Sequence, residues 1–521
     1  SLMLNRLMFC YFIQRKGFLD GDRKYLENRL KACKDYQGTN FYSFYRSFLL
    51  KLFHNGLGKP QDQRNEELPI PMGNIPYLNG GLFDVHELEK QFEEITIDDA
   101  AFEKIFGFFS QWNWHLDTSE EASGKEINPD VIGYIFEKYI NDRADMGAYY
   151  TKEDITDYIS KNTILPYLID ETQRHYPKAF AAHGEIWGML KESGDHYVYD
   201  AVKKGVELPL PAEIEAGVAV VSQRGEWNKP ADTDYALPTE IWREVVDRRK
   251  RYQEVTDKVS SGQITQINDL ITYNLNIRQF VQDILEETED PDLIRHFYKA
   301  LHEVTIIDPT CGSGAFLFAA LNILEPLYET CIQRMEGFVN EGKAGQYKYF
   351  ESVLDTINSP QHPNRRYFIY KTIILQNLYG VDIMKEAVEI AKLRLFLKLV
   401  AAVDVDHQKD NMGLEPLPDI DFNIRAGNAL VGIGNALELE KALNYTIDGV
   451  ESRPIIEEKC DVVARAFRRY KEIQLTYGDD FMAFKEAKDD LKARLKELNK
   501  ELNQLYHKQS VAIPFDTWQE S

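Results

Sequence analysis

The chain lacks paired cysteines. Its five, Cys10, Cys33, Cys311, Cys331 and Cys460, are scattered through 521 residues without a C-x-x-C pair. That excludes a disulfide scaffold and a cysteine-rich zinc site, and it fits a reducing cytoplasm. It also lacks any run approaching 18 apolar residues, so no membrane span is expected. The apolar start LMLNRLMFCYFIQRKGF is broken by Arg6, Gln14 and Arg15. It has neither the leading charge nor the small-residue cleavage site of a signal peptide. Leu4, Leu7, Met8, Tyr11 and Phe12 follow helical spacing there and predict a buried helix. Positive charge is scarce: 61 Lys and Arg against 84 Asp and Glu give a net of −23, the wrong sign for a nucleic-acid binder taken as a whole. The deficit is uneven, since residues 1–60 hold eleven Lys or Arg against four Asp or Glu, a net of +7. A basic face that meets phosphate and a solvated helical surface both stay open for that segment. Hydrophobic residues at 44% and aromatics at 12% exclude a disordered chain, and the length calls for more than one domain.

Residues 1–145 predict a helical N-terminal domain. FYSFYRSFLLKLFHNGLG is an apolar helix closed by glycines, IPYLNGGLFD at 75–84 is a compact turn, and PDVIGYIFEKYINDR predicts a helix over about 129–143 with Pro129 in its first turn. Residues 146–435 form the expected α/β core, with an insertion at about 185–300. The stretch 185–240 is rich in Pro, Gly and charge and predicts little regular structure. In GAYYTKEDI, Thr151 is placed to cap a helix, with Asp154 three residues on. Residues 436–521 read as a helical hairpin arm, because Leu491, Leu495, Leu498 and Leu502 fall on one helix face.

The core carries the chemistry. VTIID (304–308), LYGVDI (378–383) and FNIRAGNAL (422–430) are short strand-like runs separated by helical segments, the rhythm of a parallel sheet. Between the first run and its helix stands Asp308-Pro309-Thr310-Cys311-Gly312-Ser313-Gly314-Ala315-Phe316. Glycines there let the backbone approach a ligand, the helix amides can face a negative group, and Asp308 can accept from an ammonium. Together these suit a zwitterionic amino-acid tail. A phosphate loop is excluded because no Lys follows Gly314, and a dinucleotide fingerprint lacks its third Gly. Asp382 ends the second run, where a carboxylate can hold both hydroxyls of a ribose, and Ile383 can pack on an adenine ring.

DPTCGSGAF, GVDIMKEAVEIAKLRLFL, GNAL and the preceding GAYYTKEDI resemble the adenine-specific DNA methyltransferases of type IIG restriction–modification and phage-defence systems. IPYLNGGLFD, IGYIFEKYIN and RGEWNKPADTDYALPTEIW also look like segments of that group. The resemblance implies a Rossmann-like core binding S-adenosylmethionine, here incomplete, between the helical N-terminal domain and the helical arm. It implies that Tyr150 and Thr151 cradle the methionine end, that Asp308, Pro309, Cys311, Gly312, Gly314 and Phe316 line it, that Asp382 and Ile383 take the ribose and adenine, and that Asn428 meets the adenine amino group. The family's catalytic Asn-Pro-Pro-aromatic motif, which accepts from the amino group of a flipped base, is missing: the chain has no Pro-Pro. The expectation is a fragment that stops at Ser521 before that motif, inactive alone, with catalytic residues unassigned, no metal and an uncovered sheet edge that the helical arms cover or that drives self-association. Double-stranded DNA is the implied partner, met through regions largely absent, with nuclease and target-recognition domains in a longer protein. Two other readings stay open: a methyltransferase acting on RNA, protein or a small molecule, and a non-catalytic helical DNA-binding module.

Overall fold

The computed structural model describes residues 2–37, 43–64, 69–78, 81–92, 94–116, 125–139, 151–181, 184–360, 362–430, 437, 440–441, 447–476 and 481–509. Two short strands, β1 (Asn113–Trp114) and β2 (Glu126–Ile127), pair in parallel. The three predicted runs become β3 (Ile306–Asp308), β4 (Leu378–Asp382) and β5 (Ile424–Ala426), a parallel sheet in the order β3-β4-β5. β5 is moored by Asn423, whose buried amide donates to the carbonyls of Ile374, Leu375 and Leu378. A buried amide must find partners, so three bonds from one side chain fix the level at which β5 meets β4.

By its contacts the chain divides into two units. The first comprises residues 1–156, 305–325 and 352–521, and holds the sheet. In it the helix Leu2–Lys16 is buried along most of its length: Leu7, Tyr11 and Phe12 are buried as their spacing predicts, whereas Leu4 is exposed. Arg6, fully buried, donates to the carbonyls of Leu82 (2.7 Å) and Asp84 (2.6 Å) and pairs with Glu89 (2.7 Å), tying down the compact turn. Lys16 donates to the Val400 and Ala401 carbonyls at the end of the helix Lys385–Ala401, which suits a cation at a helix C-terminus. Part of the N-terminal positive charge is therefore spent on internal bonds.

The arm is the predicted hairpin. The helices Ile447–Thr476 and Phe481–Gln509 run antiparallel, with Leu498 packed on Ile456 and Leu491 on Tyr470. Its foot meets the sheet layer: Tyr470 packs on Phe422 with ring centres 5.4 Å apart, and Lys471 bonds the Tyr379 hydroxyl of β4. Among the described residues the arm does not cover the β3 edge, one of the two outcomes expected for the open sheet edge. Ile307, in the middle of that edge strand, stays 64% exposed, because the arm's apolar face is taken up by residues beside β4 and β5.

The second unit comprises residues 157–304 and 326–351 and is helical. Its 185–240 stretch is more regular than expected, with helices Glu185–Glu192, Asp200–Lys203 and Ala212–Ala219. Side chains order the turns between them: Trp227 donates to the Ile214 carbonyl (3.0 Å), and Arg248 to the carbonyls of Val202, Lys204 and Tyr235. The turn after β3 leads into the long helix Ala315–Glu341. This helix is long and apolar enough to cross a membrane by length and composition, and 67% of its most apolar window is buried inside the protein.

Candidate functional site

Parallel register brings the carboxyl ends of β3, β4 and β5 side by side, with Asp308 opposite Gly380 and Asp382 opposite Ala426. Asp308, Asp382 and Asn428 therefore share one edge. From β3 the chain turns through residues 309–314 into the helix Ala315–Glu341. Gly312 and Gly314 adopt φ of +52° and +92°, the left-handed region where a side chain is strained. The turn lies close on β4: a Cβ on Gly380 would stand 3.0 Å from Cys311 Sγ. Nothing in the sequence had singled out Gly380.

Each amide of the turn is satisfied within the protein. Thr310 donates to Asp308 Oδ1 (3.1 Å), Cys311 to the Val381 carbonyl (2.9 Å), Gly312 to Asp382 Oδ2 (2.8 Å), Ser313 to Glu137 Oε1 (2.9 Å) and Gly314 to the Cys311 carbonyl (2.7 Å). Three of these five acceptors are carboxylates. The turn's own amides are thus committed to the protein's own oxygens, which leaves an expected negative group to the first amides of the helix Ala315–Glu341. The edge is electronegative: it accepts hydrogen bonds and attracts a cation, whereas a pyrophosphate would meet three carboxylates and no free turn amide.

Asp308 Oδ1 takes the Thr310 amide, while Oδ2 is buried with no hydrogen-bond partner among the described residues. Burial pushes this carboxyl above the usual carboxylate range; the Thr310 amide opposes the shift, and the nearby Asp382 and Glu137 charges add to it. An unmatched acceptor beside two other carboxylates is a place for a donor that carries positive charge. Asp382 bridges the loops: Oδ2 receives the Gly312 amide, Oδ1 the Met384 amide (2.8 Å), and its carbonyl the Gly427 amide (2.8 Å). Each carboxylate oxygen retains acceptor capacity for a hydroxyl.

The other predicted residues fall as follows. Ile383 is 63% exposed at the end of β4. Asn428 is exposed just past β5, its side chain accepting the Leu430 amide (2.9 Å). Pro309 is exposed and Phe316 half-buried in the first turn of its helix. Cys311 is buried, its side chain against β4, and burial pushes its thiol up to about 12; it serves the fold of the turn. Thr151 stands two residues before the helix Glu153–His175. It does not cap that helix, because the first turn is closed on Lys152, whose carbonyl accepts the Ile155 and Thr156 amides. Tyr150 lies outside the described residues.

Sequence reasoning missed three residues. Glu137, buried on the helix Pro129–Tyr139, takes the Ser313 amide. Arg394, buried on the helix Lys385–Ala401, donates through Nη1 to the Ser313 carbonyl (2.7 Å) and Oγ (3.2 Å), and through Nη2 to Asp130 (2.7 Å). Its guanidinium also lies over Phe318, 4.3 Å from the ring centre. The segment IGYIFEKYIN had drawn notice only as a resemblance; the spacing of Asp130 and Glu137 by seven residues, two helical turns, was the available signal.

Three family models match. Residues 284–440 match "MmeI, DNA-methyltransferase domain", residues 376–516 match "Eco57I restriction-modification methylase", and residues 24–153 match a domain of unknown function (DUF7814). A protein of Methanocaldococcus jannaschii named as a candidate type II restriction enzyme and methyltransferase is 27% identical over 467 residues, which is 88% of this chain and 29% of that protein. DNA methyltransferase A of Bacillus subtilis is 22% identical over 202 residues, 38% of this chain and 20% of its own length. The chain thus spans less than a third of either curated relative. No solved structure matches it.

Proposed function

The chain carries DNA methyltransferase sequence of the restriction–modification kind, and from that premise we propose that the β3–β4–β5 edge is its S-adenosylmethionine site, in a core of Rossmann-like type. The observation that carries this reading is the electronegative turn, with its amides committed internally and Asp308 Oδ2 buried and unpaired among the described residues. The ammonium, the sulfonium and the ribose hydroxyls of S-adenosylmethionine fit such a turn, and its one carboxylate falls to the amides of the following helix.

In this reading Asp308 receives the ammonium, Asp382 the ribose hydroxyls through the lone pairs its amide bonds leave, Ile383 the adenine ring and Asn428 the adenine amino group through its side-chain oxygen. The cofactor supplies an electrophilic methyl group on a sulfonium. The chain's own part is to hold the cofactor at fixed geometry and to balance its charge, where positioning supplies much of the rate. The whole protein's activity is then transfer of that methyl group to the N6 amino group of adenine in double-stranded DNA, with nuclease and target-recognition domains alongside.

Calorimetric titration of S-adenosylmethionine into the 521-residue chain tests the reading. A charge-assisted hydrogen bond is worth about 1.5–3 kcal/mol, so Asp382→Ala should bind about ten- to a hundred-fold more weakly than wild type. An unbound wild-type chain whose DNA affinity falls steeply with salt would replace the reading with the DNA-binding module.

A further inference from the structure

The brace beneath the turn has a consequence for the site above it. Ser313 is held at three atoms: its amide by Glu137, its carbonyl and hydroxyl by Arg394. Arg394 is in turn oriented by Asp130. Asp130 and Glu137 come from one helix face, and Gly133 stands between them. A Cβ on Gly133 would meet Arg394 Nη1 at 2.5 Å and Ser313 Oγ at 2.8 Å, so this helix approaches the turn at a distance only a hydrogen allows. Ser313 adjoins Gly312, whose amide binds Asp382; fixing one peptide fixes the next.

We propose that Glu137, with Asp130 acting through Arg394, positions the glycine-rich turn for cofactor binding. The proposal rests on the S-adenosylmethionine reading above. It gives the segment matched by a domain of unknown function a part in the methyltransferase site: its helix supplies the anion that occupies the Ser313 amide at the head of the helix Ala315–Glu341. A carboxylate there satisfies an amide that the helix itself cannot bond and lies at the positive end of the helix dipole. Glu137 and Arg394 are positioning residues, acting on the cofactor through Ser313, Gly312 and Asp382.

The test is calorimetric titration of S-adenosylmethionine into the wild-type chain and into Glu137→Ala, Glu137→Gln and Gly133→Ala, with hydrogen exchange of the peptide spanning 308–318 read in parallel. Glu137→Ala should bind about tenfold more weakly and speed exchange in the turn. Glu137→Gln should return to within about threefold of wild type, because its amide oxygen can still accept from Ser313. Gly133→Ala should weaken binding, since its methyl group pushes the helix off the turn, and should speed exchange within 308–318 as Glu137→Ala does. Wild-type affinity in Glu137→Ala, or a Gln variant as weak as the Ala variant, overturns the proposal and leaves the cofactor reading standing. A wild-type chain that binds no S-adenosylmethionine overturns both. If Glu137→Ala does not fold, the Gln and Gly133 variants decide alone.

Discussion

Just ahead of β5, buried Asp419 and half-buried Asp421 sit with cations: Lys488 pairs with both, and Lys392 bonds Asp421 at 2.9 Å. Asp308, Asp382 and Glu137, beyond the other end of the strands, are met by backbone amides instead, and Asp308 keeps one buried oxygen without a partner among the described residues. Burial raises the Asp419 carboxyl, with Asp421 adding to the shift, whereas at Asp421 the effect of burial is outweighed by Lys392 and Lys488, which hold it below the usual range. The first cluster is compensated and therefore structural; its charges are paired because an unpaired buried charge is costly. The second is left short of positive charge, which is how a fold leaves room for a cationic ligand.

The sharpest way to break this comparison is to remove the compensation. Lys488→Met leaves Asp419 buried with its ammonium partner gone, and losing one member of a buried pair costs about 3–5 kcal/mol. Urea unfolding should show that loss, while the folded fraction binds S-adenosylmethionine as wild type does. A loss below about 1 kcal/mol would mean the lysine is not needed to balance the aspartates.

The next effect down tests how tightly the turn rests on β4. In Gly380→Ala the new methyl group would stand 3.0 Å from Cys311 Sγ and 3.1 Å from Leu317 Cδ1. Overpacking of this kind costs about 1–3 kcal/mol. Because Cys311 belongs to the turn and Leu317 to the first turn of the helix after it, cofactor affinity should fall together with the unfolding midpoint, unlike in Lys488→Met. Equal affinity in Gly380→Ala and wild type would separate the turn from the site.

The strands, the turn and the arm were legible because their signals are local. β-rich runs, a glycine cluster between strand and helix, and leucines on one helix face each sit within about ten residues. The brace was not. Glu137 meets Ser313 across 176 residues and Arg394 meets it across 81, and neither carries a local mark that separates it from other helical charges. The commitment of the turn's amides was hidden for the same reason, since two of the three carboxylates that take them arrive from elsewhere in the chain. The arm's failure to cover β3 was illegible too, because hydrophobic spacing shows that a face is buried without saying against what.

Acid sharpens the comparison with the smallest effects, because one drop in pH should act on Asp308 and Asp421 with opposite sign. The Asp308 carboxyl sits above its unfolded range, so the folded state takes up the proton more readily and its ionised form weighs on stability at neutral pH. Asp308→Asn should unfold at slightly higher urea than wild type at pH 7, and the gap should close as pH falls through the raised value. Asp421 lies below its unfolded range, so its contribution is present above that range and lost as pH falls through the folded value. Asp421→Asn should therefore be the less stable chain at pH 7, and its gap to wild type should also close in acid, from the other side. Binding separates the two further. A cationic cofactor favours ionised Asp308, so S-adenosylmethionine affinity should weaken as pH falls through the raised value, by about two- to fivefold for a partly exposed charge pair. Asp308→Asn should bind that much more weakly at pH 7 and lose the dependence, whereas Asp421→Asn should keep it. A pH profile that survives in Asp308→Asn would place the cation on Asp382 or Glu137 instead.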